Sequence, residues 1–304
     1  MLLNNKIPLK YLFRKTGTEI IFVSVLTLIV SLSDMIFHKG SIAIPLVIPT
    51  ILGTAISLIL AFRTAQSYNR WWEARMIWGA IVNDSRTLTR QLLTFISPAG
   101  QDNAEGQNII KKMVYRQIAW NYALGQSLRK TDPLENTTGF ISEDELQWVR
   151  KQNNIPNALL QLHSADLKKA FGKGWLSDFQ QIQIDTTIRR LCDSMGKSER
   201  IKNTVFPATY SLIVHLTIYL FVIMLPFGLV DSLGFVQVPL VITVAVAFFL
   251  IEKTAIYLQD PFENMPTDTP VTAIARTIEI NLKQMLNEEK TPENIKPVAG
   301  FYLM

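Results

Sequence analysis

The sequence has little of what catalysis and metal binding usually require. Its one cysteine, Cys192, excludes an internal disulfide and a thiolate metal site, and fits a reducing compartment. Its three histidines, His38, His163 and His215, lie in separate segments and match no metal-ligand spacing. Phosphate-binding glycine loops, nucleophile elbows and dinucleotide fingerprints are also absent from it. We therefore expect no enzyme activity, no cofactor and no resident metal.

The apolar residues are gathered instead of being spread evenly. The hydrophobic fraction of 48% is ordinary for a soluble protein, so composition alone would mislead. Four apolar blocks hold most of these residues: Ile20–Phe37, Ile42–Phe62, Val205–Val230 and Val236–Ile251. A helix of about 20 apolar residues spans a bilayer. Very short turns join the first block to the second and the third to the fourth, so the sequence predicts an all-α membrane protein with four transmembrane helices in two hairpins.

The basic residues orient these helices. Of the 30 Lys and Arg residues, four precede the first block, 20 lie between Arg63 and Lys202, and five follow the fourth block. Cytoplasmic loops carry the excess of Lys and Arg in membrane proteins. Both termini and the central region are therefore predicted to be cytoplasmic. The net charge of +5 then needs no nucleic-acid partner.

A cleaved secretory signal over residues 1–33 is an alternative for the first block. Lys10, Arg14 and Lys15 precede its apolar part, and Ser31-Leu32-Ser33 has a cleavage-like spacing of small residues. Apolar sequence resumes at once with Met35-Ile36-Phe37, which favours a retained transmembrane helix.

Helix signals organise the rest of the chain. Ser142 and Ser177 have the character of helix N-caps, and Gly196 is a helix-ending signal. Nothing interrupts the helical pattern between Pro49 and Pro98. The predicted regions are a cytosolic N-terminal segment (1–17), a first transmembrane hairpin (18–62) whose second helix continues to about 97, a helical cytosolic region (63–204), a second hairpin (205–251) and a cytosolic C-terminal helix and tail (252–304).

The second apolar block carries two stripes at helical spacing. Gly53, Ser57 and Ala61 are small residues that allow another helix to approach closely. Thr54, Leu58 and Phe62 form a second stripe beside them. Both could pack inside a monomeric bundle, or the second could line a narrow pore shared by several copies, where apolar rings gate by dewetting. The spacing alone does not choose between these alternatives.

A motif begins where this block ends. The stretch Leu60-Ala61-Phe62-Arg63-Thr64-Ala65-Gln66-Ser67-Tyr68-Asn69-Arg70-Trp71-Trp72-Glu73-Ala74-Arg75, followed by Trp78-Gly79, resembles the signature of the bacterial branch of the bestrophin family. Further matches, which together span nearly the whole chain, are Arg86-Thr87-Leu88, Arg90-Gln91-Leu92, Leu128-Arg129-Lys130, Leu176-Ser177-Asp178, Glu199-Arg200, Pro207, Tyr210, the stretch from Tyr219 to Phe227, and Asp260-Pro261-Phe262.

The resemblance implies a homopentameric ion channel in the bacterial inner membrane. In this family the second membrane helix lines a central pore and continues into a helical cytosolic vestibule. The family's three-ring neck falls on Thr54, Leu58 and Phe62, where Thr54 departs from the bulkier apolar residues usual there. A second, cytosolic constriction falls on Phe179. The expected partners are identical subunits, the lipid bilayer and the permeant ions.

The resemblance leaves ion selectivity open. Animal bestrophins pass anions and bind calcium in an acidic clasp, whereas a bacterial type passes monovalent cations. Asp260, Glu263 and Asp268 would be a weak remnant of that clasp, too few for the six to eight oxygens calcium prefers. Asp268 also matches an acidic position at the cytosolic exit, where carboxylates would concentrate cations. We therefore favour monovalent cations such as sodium or potassium, with an anion (chloride) channel as the alternative.

Further assignments and rivals remain. Arg70, Trp71, Trp72 and Arg75 are assigned to membrane anchoring and subunit contacts, because Trp and Arg prefer the membrane interface. His215 lies inside the third apolar block, where a polar side chain must find a hydrogen-bond partner or water, and an interhelical bond is expected.

A secondary transporter and a membrane-anchored scaffold are the rival functions.

Overall fold

The computed structural model describes residues 9–37, 42–98, 103–204, 206–298 and 302–304, with side chains of the first helix described from Thr16 onward. Over these residues the chain is helical, and the only extended pairings are isolated bridges at Thr138–Ile141 and Val298–Tyr302. The helices are α1 Leu9–Ile36, α2 Val47–Phe95, α3 Asn103–Leu128, α4 Glu143–Val149, α5 Ile155–Gly172, α6 Asp178–Asn203, α7 Ala208–Leu233, α8 Gln237–Gln259 and α9 Val271–Met285. The prediction of an all-α protein is confirmed.

The chain divides into two compact units. The described residues of the membrane unit fall within Asn4–Trp71 and Val205–Asp260, and those of the second unit within Trp72–Thr204 and Pro261–Met304. Helix α2 supplies residues to both. Residues 1–8 of the predicted N-terminal segment and the predicted turn at 38–41 lie outside the described residues.

The membrane unit is built from α1, the first part of α2, α7 and α8. Three described stretches are long and apolar enough to cross a membrane: Thr16–Ile36, Val47–Phe95 and Ala208–Gln259. The last contains α7, a 3-10 turn at Gly234–Val236 and α8, and α7 packs against α8. Helix α1 packs against both and is continuous through residues 31–33, where the cleavage-like spacing lies.

Polar side chains inside these helices bond to their own backbone. The hydroxyls of Thr27, Thr217 and Thr243 each donate to the carbonyl four residues earlier, at 2.6–2.8 Å. In a membrane, where water is absent, such local bonds satisfy a hydroxyl without a partner helix. Isolated threonines in the apolar blocks are therefore compatible with spanning helices.

The second unit has a buried core centred on α3. Trp78, Met113, Ile118 and Trp120 are fully buried, and α3 packs against α5, α6 and α9. The predicted caps are present: the Ser142 hydroxyl accepts the Glu145 N–H at 3.4 Å, and Ser177 forms a capping box with Gln180. This region, although rich in polar residues, thus folds as helices around its own apolar core.

The predicted end of α6 at Gly196 is wrong, because the helix continues to Asn203. A Cβ at Gly196 would meet no atom within 4 Å, so this glycine is an exposed helical position rather than a turn. Ser198 and Ile201 beyond it are buried. Their packing outweighs the cost of a mid-helix glycine, which is about 1 kcal/mol.

Candidate functional site

Helix α2 presents two different faces within the membrane unit. Ile56, Leu60 and Arg63 lie on its buried face. Leu58 and Phe62 lie on the other face and are 61% and 62% exposed. Thr54 is exposed as well. Packing inside one subunit therefore leaves the stripe of Thr54, Leu58 and Phe62, called here the neck face, uncovered.

Gly53 fixes the rotation of α2 that leaves the neck face outward. A Cβ built on Gly53 would lie 2.8 Å from Cε2 of Phe221 on α7, closer than real side chains approach. The buried ring of Phe221 thus packs directly on the α2 backbone. Only glycine allows this separation, so Gly53 contacts a helix of its own subunit.

Replacing Gly53 by alanine should lower the stability of the membrane unit by about 1–3 kcal/mol, because the Phe221 ring must move. Gly79 is a matched control in the same helix, since a Cβ there meets nothing within 4 Å. Gly79→Ala should leave stability unchanged or raise it by up to about 1 kcal/mol. Thermal unfolding of the detergent-solubilised protein measures both. Equal melting temperatures for the two variants would contradict the role of the Phe221 contact.

The other two small residues of the stripe line a groove. Ser57 and Ala61, with Phe248, Ile251 and Leu258 of α8 among its other walls, border an apolar depression of about 520 Å³. Both small residues are exposed. The predicted small-residue stripe is therefore divided between an internal contact at Gly53 and an open apolar groove beside the neck face.

The hydroxyl of Thr54 is already hydrogen-bonded. Its Oγ1 donates to the carbonyl oxygen of Thr50 at 2.9 Å, within the same helix. Only acceptor lone pairs remain on this oxygen. Thr54 is thus less polar toward its surroundings than a free hydroxyl would be.

Among the described residues of the second unit, Phe179 is the most exposed large apolar side chain, at 82%. It lies in the first turn of α6, directly after the Ser177 cap. The Ser177 N–H donates to Gln180 Oε1 at 2.9 Å, and the Gln180 N–H donates back to Ser177 Oγ at 3.4 Å. Phe179 is therefore uncovered within the subunit while its backbone is held by a capping box.

The basic and aromatic cluster after the neck makes contacts inside the subunit. Arg70 Nε donates to the carbonyl of Gln259, the last residue of α8, at 2.9 Å, and its guanidinium lies 3.8 Å from Asp260. A cation there satisfies a helix C-terminus. Trp72 is exposed, and the rings of Tyr68 and Trp71 lie 5.8 Å apart. Arg70 thus caps α8, a role that the sequence did not predict, while the subunit contacts predicted for Arg70, Trp71, Trp72 and Arg75 stay a prediction.

The three carboxylates of the suspected calcium clasp have separate protein partners. Asp260 lies near Arg70, Glu263 pairs with Lys202 at 2.5 Å, and Asp268 Oδ2 accepts the Met265 N–H at 3.0 Å. Within the described part of the chain, no three His, Cys, Asp or Glu side chains come close enough to hold a metal ion. These separate pairings do not support a calcium site formed by the three carboxylates alone, and the clasp remnant stays a prediction.

Asp268 is buried, with a relative exposure of 2%. Burial raises the pKa of its carboxyl to about 6, and the nearby positive charge of Arg129 opposes this shift. Burial also lowers the pKa of Arg129. A carboxylate at a channel exit must be accessible to ions, so the burial of Asp268 counts against its predicted exit role.

The raised pKa of Asp268 predicts a pH-dependent stability. The folded state binds this proton more tightly than the unfolded state. The stability that the protonated carboxyl gives the folded state is therefore complete below about pH 4 and is lost as the pH rises through about 6. Asp268→Asn should therefore be more stable than the wild type by up to about 3 kcal/mol at pH 7.5 and no more stable at pH 4. Melting temperatures at both pH values test this. Glu263→Gln, an exposed control, should show no such difference; an Asn variant that tracks the wild type at both pH values would contradict the prediction.

Sequence reasoning missed a buried ion pair in the membrane unit. Arg63 Nη1 lies 3.6 Å from Glu252 Oε1, and both side chains are buried. His215 Nδ1 lies 3.1 Å from each oxygen of the same carboxylate. The interhelical bond expected of His215 is thus present, with Glu252 as its partner. A signal existed, because Arg63 and Glu252 directly follow the second and fourth apolar blocks and carry opposite charges.

Comparison with known proteins gives these features a context. The family model described as Bacterial/Fungal Bestrophin protein matches residues 12–284. The chain belongs to the bestrophin family. A bacterial bestrophin homolog of known structure from Klebsiella pneumoniae has a TM-score of 0.84 and 28% sequence identity, over 91% of this chain and 100% of that one.

Relatives of this bestrophin carry functional names. It is 34% identical over 254 residues to the voltage-dependent anion channel-forming protein YneE of Escherichia coli K12, covering 84% of this chain and 81% of the relative. It is 30% identical over 241 residues to the voltage-dependent anion channel-forming protein RSc3414 of Ralstonia nicotianae, covering 79% and 76%. Both the family and these names indicate a membrane ion channel rather than an enzyme.

Proposed function

We propose that this bestrophin is a homopentameric anion channel in the bacterial inner membrane, with four transmembrane helices in each subunit. The observation that carries the proposal is the neck face of α2, where Leu58 and Phe62 are more than half exposed although the opposite face is packed. An exposed apolar stripe on a membrane helix faces lipid, another subunit or a pore, and the resemblance to the bestrophin neck favours the pore for this stripe. In the pentamer, this stripe lines the pore.

The pore has two narrow zones. Rings of Thr54, Leu58 and Phe62 form the neck, where apolar walls oppose the entry of water and ions. Five copies of Phe179 form a cytosolic constriction. Support comes from the exposure of Leu58, Phe62 and Phe179 in the subunit, together with the family's arrangement.

Anions are the proposed permeant ions. Cation passage, which the sequence favoured, rested on Asp268 as an exposed exit carboxylate, and that side chain is buried beside Arg129. The relatives are named for anion channels. The alternative is therefore preferred over the first interpretation.

The membrane orientation follows the charge pattern. Lys and Arg residues are concentrated before the first apolar block, between the second and third, and after the fourth. This pattern places the N-terminus, the second unit and the C-terminus on the cytoplasmic side.

Reconstitution of the purified protein in planar bilayers tests the proposal. With a potassium chloride gradient, the reversal potential should lie near the equilibrium potential of chloride, and light scattering should report a pentamer. A reversal potential near that of potassium would restore the cation interpretation. Saturable uptake without single-channel steps would indicate a transporter, and a stable complex with a second polypeptide without ion flux would indicate a scaffold.

A further inference from the structure

Three ionisable side chains from three helices meet in the membrane unit, directly behind the neck face. Arg63 follows Phe62 on α2, His215 lies on α7 and Glu252 on α8. Arg63 and Glu252 are buried, whereas His215 is partly exposed. Ionisable groups within membrane-spanning helices are costly and usually serve a function. A simple packing contact between these helices could be made as well by apolar residues.

The Glu252 carboxylate is shared unequally between its two partners. Both of its oxygens lie 3.1 Å from His215 Nδ1, within hydrogen-bond distance. The nearest Arg63 nitrogen lies farther away, at 3.6 Å. Arg63 also donates from Nη2 to the Ser211 hydroxyl at 3.1 Å, while its Nε and Nη1 have no hydrogen-bond partner among the described residues. Glu252 is therefore closer to the histidine than to the arginine.

The contact is the one that an ionised Glu252 would make. A carboxylate only accepts hydrogen bonds, so with Glu252 ionised the hydrogen between them lies on His215 Nδ1. The other ring nitrogen, Nε2, is then the site that gains a proton. With a neutral imidazole the three groups have a net charge of zero, and with an imidazolium they have a net charge of +1. The imidazolium also holds Glu252 more strongly and leaves Arg63 less neutralised.

Several charged or titratable side chains surround His215. The described ones near it include Arg63 on α2, Glu19 on α1, Glu252 and Lys253 on α8, and Tyr210 and Tyr219 on α7 itself. Lys253 and Glu19 neutralise each other at 2.6 Å. Of these residue types, only histidine ordinarily changes charge between pH 5 and 8.

We propose that His215, Glu252 and Arg63 form a proton-responsive switch that sets how strongly the neck prefers anions. The inference rests on the proposed channel function. Gain of a proton by His215 adds one positive charge per subunit, about one helix diameter, or roughly 10 Å, from the neck face. At an effective dielectric constant of about 20, one such charge favours a nearby anion by about tenfold or more, and screening by pore water and salt reduces the combined effect of the five charges.

Reversal potentials in planar bilayers with a sodium chloride gradient test the switch. The chloride-to-sodium permeability ratio of the wild type should rise at least about threefold between pH 8 and pH 5, a lower bound after screening. His215→Asn keeps an N–H donor for Glu252 but cannot be protonated, so its ratio should stay at the wild-type pH 8 value throughout. His38→Asn, a substitution of another histidine, should respond like the wild type.

Three outcomes overturn the switch. If the permeability ratio of the wild-type channel is unchanged between pH 5 and 8, the switch is wrong, whereas the proposed channel function still stands. A His215→Asn channel that keeps the full pH response assigns the proton to another group. A pentameric wild type that passes no current at any pH removes the proposed function and the switch with it.

Discussion

Phe62→Ala is expected to raise single-channel conductance about fivefold or more without changing the oligomeric state. The Phe62 ring is 62% exposed on the subunit, so truncating it removes little intramolecular packing. In the proposed pentameric pore, by contrast, it would remove five phenyl rings from the apolar neck, and water would then enter the neck more readily. Leu58→Ala acts on the same face with a smaller side chain and should have a smaller effect of the same sign. Single-channel recording in planar bilayers measures both.

Leu216 on α7 provides the matched control for the neck. It is 58% exposed, close to the 61% of Leu58, and it also lies in a membrane-spanning helix. Leu216→Ala should leave conductance unchanged. Disassembly of the Phe62→Ala pentamer without an increase in current would assign Phe62 to subunit packing. An equal increase in the Leu216→Ala channel would remove the special role of the neck face.

Arg116→Ala is expected to lower the free energy of unfolding of the second unit by about 3–5 kcal/mol. The fully buried guanidinium of Arg116 on α3 donates from Nη2 to Glu145 on α4 and, at 2.6 Å, to Asp166 on α5. Its removal leaves the buried Glu145 carboxylate without its closest cation. Burial, together with the charge of Arg116, lowers the pKa of the adjacent His163 well below its usual value, so the imidazole is neutral and does not replace the arginine.

Lys112 separates the effect of burial from the effect of charge. Its ammonium contacts the same two carboxylates, at 3.1 Å from Glu145 and 3.6 Å from Asp166, but the side chain is exposed. Lys112→Ala should therefore cost less than about 1 kcal/mol. Circular dichroism during thermal unfolding compares the two variants. Similar losses of stability for both would show that the buried position of Arg116 adds nothing.

Much of the fold follows from local sequence patterns. The absence of proline and other breakers between Pro49 and Pro98 predicted the long helix that appears as α2, Val47–Phe95. Ser142 and Ser177 predicted the starts of α4 and α6, because caps depend on residues within one turn. The outward face of Leu58 and Phe62 could be proposed from spacing and resemblance, but spacing did not show which face of α2 is packed.

The features that were missed depend on residues distant in sequence. The burial of Asp268 comes from tertiary packing of its loop, and the acidic pattern of that loop looked solvated. Arg63 and Glu252 lie on different helices, and their positions after two apolar blocks suggest a pair without showing that the two side chains meet. Gly196 is tolerated inside α6 because it is exposed there. That exposure depends on how the neighbouring helices pack, so the local sequence predicted a helix end instead.

The capping box at the start of α6 determines how a constriction at Phe179 would operate. Because Ser177 and Gln180 bond to each other's backbone N–H groups, the first turn of α6 is held in place and the ring projects from a stiff support. In the proposed pentamer, an aperture of five such rings would work as a fixed sieve. Its cut-off would be set by the bulk of the side chain at position 179, so size exclusion there would operate independently of any opening or closing elsewhere along the ion path.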